Sequence, residues 1–104
     1  MKHRMHTLAL MFALAAAPAL AAPFASGKAA DGKALHAKKC AGCHVGRFGG
    51  DGSKIYTRAD RRVKNASALA QQITTCNSML GNELFPEDEA NLGAYLNQTY
   101  YKFK

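Results

Sequence analysis

Cys40-Ala41-Gly42-Cys43-His44 carries the densest chemistry in the chain: two thiols three residues apart, followed at once by an imidazole. Thiols at that spacing can add to two neighbouring vinyl groups of a porphyrin, and the turn between them sets the next side chain beneath the iron. This is the attachment pattern of c-type haem. On that reading Cys40 and Cys43 hold one haem c covalently and His44 is its proximal ligand, with the second ring nitrogen expected to donate to a backbone carbonyl. Two other chemistries use paired cysteines. Structural zinc wants a second pair of soft ligands, yet beyond residue 21 only His36 and Cys76 remain outside the pentapeptide. A thioredoxin-like pair wants a strand and helix around it, whereas the residues before Cys40 read as helix.

A haem iron has a second axial position, and two sulfur side chains compete for it. Cys76 is the third cysteine and has no partner for an intramolecular disulfide once Cys40 and Cys43 bind haem. Its thiol could ligate the iron, bridge to a second chain, or simply be buried beside Met79 as the actual ligand. Cys76 and Met79 lie three apart on a helical stretch, so spacing does not separate them. A thioether favours ferrous iron and raises the potential, whereas a thiolate stabilises ferric iron and lowers it. Cys76 is the first choice, Met79 the second, and an open or water-bound iron the third. His36, one helical turn before Cys40, is expected to pack at the haem edge or face water.

The elements that must carry these residues read as helices. Residues 1–21 have a secretory leader's pattern: basic Lys2 and Arg4, an apolar run from Thr7 to Leu20, and small residues around Leu20. Without Lys2 and Arg4 the remaining 83 residues keep 12 basic and 7 acidic side chains, a formal charge of +5. One domain, 22–104, is expected, exported to the periplasm, too small for a large enzyme fold and without stable membrane insertion. Ala22 to Ala30 reads as a loose lead-in. Asp31 is placed to cap a helix from Gly32 to Cys40, and four glycines argue for a loop from Gly46 to Ser53. Four basic side chains between Arg58 and Lys64 read first as a solvated turn and second as a docking patch. Leu69, Ile73, Cys76 and Leu80 share one face of a helix over 67–80, turning Cys76 inward. Pro86 suits the first position of a last helix, followed by Glu87, Asp88 and Glu89 and an apolar face of Leu92, Tyr95, Leu96 and Tyr100.

Over nearly the whole length beyond the leader, the chain resembles the small class I cytochromes c. The attachment motif carries the resemblance, with Gly32-Lys33-Ala34-Leu35 and Leu92-Gly93-Ala94-Tyr95-Leu96 as counterparts of the family's first and last helices. The resemblance implies an all-α, cytochrome c-like helical fold wrapped around one covalently attached haem, with Gly32 meeting Tyr95 where the two helices cross. That family commonly flanks its ligand Met with prolines, which Met79 lacks. Thr75-Cys76-Asn77-Ser78-Met79-Leu80-Gly81 is similar instead to a smaller group of c cytochromes with a Cys-Asn motif, some of them His/Cys-ligated and binding nitric oxide or carbon monoxide. Oxygen-binding members of that group have Asn or His where this chain has Thr75, and a second cysteine that it lacks.

The expected function is single-electron transfer between periplasmic redox partners, with an acidic protein partner matched to the basic surface. The alternative is a gas-binding or redox sensor whose Cys76 ligand leaves the iron on reduction. Export and the absence of aromatic-interleaved basic stretches argue against nucleic acid. No distal His and Arg pair points to peroxidase catalysis, so no enzyme is expected. The Cys76 thiol leaves dimerisation through a disulfide open.

Overall fold

A computed structural model describes residues 23–104, and the expected leader lies outside them. Among the described residues the chain is helical, without strands. The elements are α1 (Ala29–Lys39), α2 (Ala41–Phe48), α3 (Lys54–Thr57), α4 (Ala66–Leu80) and α5 (Pro86–Leu96), which runs into a π-helical turn at Asn97–Tyr101. No helix among these residues is long and apolar enough to cross a membrane.

α1 and α5 make the most extensive contact between helices, as the resemblance implied. Their approach is set by Gly32: a β-carbon there would fall 2.9 Å from Tyr95 Cβ and overlap the Asn91 carbonyl. Ordinary side chains would hold the two backbones apart. The start of α1 differs from expectation. The helix begins at Ala29, Asp31 sits inside its first turn rather than capping it, and the Lys28 N–H donates to Asn91 Oδ1 of α5 at 2.8 Å. A cap supplied from another helix has no local sequence signature. The lead-in is not loose throughout either, because Phe24 is buried and its ring packs on Gly93.

The expected loop from Gly46 to Ser53 is shorter than its glycines suggested. Gly46 has no contact to prevent helix and stays within α2, so the chain leaves the helix only at Gly49. α4 follows the expected face. Asn65 Oδ1 accepts from Ala68 N–H at 2.8 Å at its start, and Gly81 closes it in a left-handed conformation at φ 61°. Leu69 and Ile73 are buried beneath α5, whereas Leu80, at the end of the same face, is largely exposed. α5 begins at Pro86 as expected, and Asp88 Oδ2 accepts from the Phe85 N–H at 3.0 Å. The buried apolar side chains are Phe24, Tyr56, Leu69, Ile73, Leu92, Leu96 and Tyr101. This is a small core for the chain length, and one side of it faces an open cavity.

Candidate haem site

The cavity has a volume of about 350 Å³, within the range of small-molecule and cofactor pockets. Cys40, Cys43 and His44 line it from the α1–α2 junction, and Leu69, Gln72, Ile73 and Cys76 line it from α4. Leu92 and Leu96 of α5 and Tyr101 of the π turn complete its apolar lining. The two sulfur candidates for the distal position are therefore separated. Cys76 is half-buried and lines the cavity, while Met79 is 80% exposed and does not. Three residues along a helix leave a net offset of about 60°, and here that offset carries Met79 to the outside.

His44 is half-buried, and its Nδ1 lies 2.7 Å from the Tyr56 hydroxyl. The expected backbone carbonyl is thus replaced by a side chain from α3. Nε2 of His44 makes no hydrogen bond among the described residues and is free to act as a ligand. Burial, with the Arg47 charge adding to it, holds the His44 imidazole below its ordinary value and favours the neutral, ligating form. Gly52 keeps the backbone close to this histidine. At φ 80°, a β-carbon on it would fall 2.8 Å from His44 Cβ.

His36 neither faces water nor borders the cavity. It is 7% exposed, and its Nε2 lies 2.9 Å from the same Tyr56 hydroxyl, so one phenol sits between two imidazoles. Burial is the main cause that lowers the His36 pKa, with His44 reinforcing it and Asp51 opposing it. Burial likewise pushes the Tyr56 hydroxyl well above the usual tyrosine range. The Cys40 thiol is raised by burial first and by Cys76 and Cys43 second. Gln72 Nε2 donates to Cys76 Sγ at 3.2 Å.

The basic segment is not simply a solvated turn, because Arg58, Arg61 and Arg62 line the cavity. Arg61 is fixed in place. Its Nη1 donates to the Tyr56 carbonyl at 2.9 Å, and its guanidinium lies 4.9 Å from the Tyr101 ring centre and 5.6 Å from that of Phe103. Arg58 Nε is buried without a hydrogen-bond partner, although Asp60 Oδ1 stands 3.2 Å away.

The sequence did not single out Tyr56, Asn91 or Gln72. An aromatic residue twelve positions after His44 was the only signal for Tyr56. Asn77, noted only as part of the Cys-Asn motif, fastens the cavity's far rim: its Oδ1 accepts from Leu84 N–H at 3.0 Å, and its Nδ2 donates to Leu84 O at 3.1 Å and Glu89 Oε2 at 3.0 Å. Comparisons with protein-family models, curated proteins and solved structures find no match for this chain. Among the described residues no group of three or more His, Cys, Asp or Glu is placed to hold a metal ion together.

Proposed function

We propose that the chain is an exported monohaem c-type cytochrome that passes single electrons between redox partners. The observation that carries this reading is the opening of the pentapeptide Cys40–His44 onto an apolar cavity whose α4 wall presents Cys76. The donor set suits the group. Cys40 and Cys43 would each add S–H across a vinyl C=C, sulfur to one carbon and hydrogen to the other, with no oxidant needed. His44 offers a free Nε2, and Arg58, Arg61 and Arg62 offer positive charge to the two porphyrin carboxylates. Arg58 Nε is buried without a hydrogen bond, with Asp60 Oδ1 3.2 Å away, and would add a further donor on that wall.

When bound, the haem supplies a one-electron ferric/ferrous couple. The protein's part is to hold ligation constant and exclude water. Leu69, Ile73, Leu92 and Leu96 make a low-dielectric lining, and the Gln72 amide donates to Cys76 Sγ and holds its orientation. The net positive charge would steer an acidic partner, and salt would weaken that encounter. Mass spectrometry of material exported where the maturation machinery operates tests the reading. The expected mass is that of the polypeptide plus one haem, lost in Cys40→Ser, Cys43→Ser, and a bare polypeptide mass refutes it.

A second reading, a gas-binding or redox sensor with a displaceable Cys76, is favoured by one observation. No methionine among the described residues lines the cavity to replace a departing thiol. Carbon monoxide added to reduced protein would shift the Soret band on the sensor reading and leave it in place on the carrier reading.

A further inference from the structure

Among the described residues the hydroxyl of Tyr56 is the only side-chain hydrogen-bond partner of two buried or half-buried imidazoles, at 2.7 Å from His44 Nδ1 and 2.9 Å from His36 Nε2. A phenol has one proton to give, so it can donate to one imidazole and must accept from the other. Which way round is settled by the role of His44, and here the inference rests on the haem-site reading. A histidine that ligates through Nε2 carries its proton on Nδ1. Tyr56 Oη must then accept from His44 and donate to His36 Nε2, which fixes the His36 proton on Nδ1. We propose that Tyr56 is the positioning residue for His44, backed by His36, and that His44 Nδ1–H to Tyr56 Oη–H to His36 Nε2 is one directional chain.

The surroundings are built for this. α3 is a single turn, and Tyr56 is its buried residue. Arg61 Nη1 grips its carbonyl at 2.9 Å, and the ring is enclosed by Tyr100 at 5.2 Å and Tyr101 at 5.8 Å between centres. His36 is itself held against Tyr95, 5.4 Å between ring centres, at the α1–α5 crossing. The orientation of the ligand imidazole is thereby tied to the main helix contact of the fold. Three polar groups in a row with one proton per link also polarise each other, which makes the His44 ring a stronger donor than an unassisted imidazole.

The test uses haem-loaded protein and its Tyr56→Phe, His36→Gln and His36→Leu variants, with reduction potential as the readout and attached haem verified by mass. Loss of the acceptor weakens donation from His44, so Tyr56→Phe should favour ferrous iron about tenfold, a rise of about 59 mV for one electron. His36→Leu should move the same way by less. His36→Gln, whose amide oxygen can still accept, should restore the wild-type value. A measurement on unsubstituted reduced protein stands beside these in case a variant fails to fold: imidazole ¹⁵N shifts should show His36 protonated on Nδ1 and not on Nε2. Attached haem with an unshifted Tyr56→Phe potential, or His36 protonated on Nε2, overturns the role of Tyr56 alone. Wild-type protein at bare polypeptide mass overturns the haem-site reading and this proposal with it.

Discussion

Gly32 of α1 lies directly against Tyr95 of α5, with the place of its absent side chain taken by the Tyr95 Cβ and the Asn91 carbonyl. The contact lets His36, one turn along α1, reach the Tyr95 ring and the Tyr56 hydroxyl. Helix packing and site geometry are therefore one problem in this protein.

Gly32→Ala should accordingly destabilise the fold by about 2 to 3 kcal/mol, since the new methyl meets backbone rather than a flexible side chain. Gly46→Ala is the matching control. It lies within α2 with open space around it and should be neutral or stabilising by up to about 1 kcal/mol. Urea midpoints of the two variants decide it, and equal effects would mean that the crossing is not as tight as described.

The Gly32–Tyr95 pair was expected only because the resemblance to the small class I cytochromes c implied it, whereas α4 and α5 were legible because apolar periodicity and Pro86 are local signals. What escaped was non-local. Asn91 caps α1 from 63 residues away, and Tyr56 meets His36 and His44 only after α3 folds back. Arg61 read as a solvent charge because its aromatic partners Tyr101 and Phe103 come 40 or more residues later in the chain. Where Gly46 and Gly49 differ, composition gave the same loop signal for both, and only the positive φ at Gly49 ends the helix.

The cavity separates two sulfurs that spacing could not. With Cys76 on its wall and Met79 turned to solvent, Cys76→Ala should change the ferric visible spectrum of haem-loaded protein, and Met79→Ala should leave it unaltered. The reverse result would require α4 to rotate by roughly 60° about its axis relative to its position here.

Asn77 should matter as much to the cavity's shape as the apolar residues that line it. Asn77→Ala removes three hydrogen bonds that tie α4 to Leu84 and Glu89, and should cost about 2 kcal/mol while loosening the 82–85 rim. Asn77→Asp keeps an acceptor for the Leu84 N–H but sets a carboxylate against Glu89, so it should not rescue stability at neutral pH. Thermal melts at pH 7 check both, and full stability in Asn77→Asp would show that the Glu89 contact contributes nothing.

Acid sensitivity should follow from His36. Burial and the neighbouring His44 hold its folded pKa below the ordinary value of 6.5. The unfolded chain therefore takes up a proton at this position near pH 6.5, and the folded chain only at lower pH. In the interval the unfolded state binds more protons, so stability is complete above pH 6.5 and declines as pH falls below it. Burial lowers the His44 imidazole in the same direction, so the comparison with a His36 variant isolates the share that belongs to His36. Urea midpoints at pH 7.5 and 5.5 should therefore drop for the wild-type protein and drop less for His36→Gln, which has no proton to gain; equal slopes would show that His36 takes up its proton as readily in the folded chain as in the unfolded one.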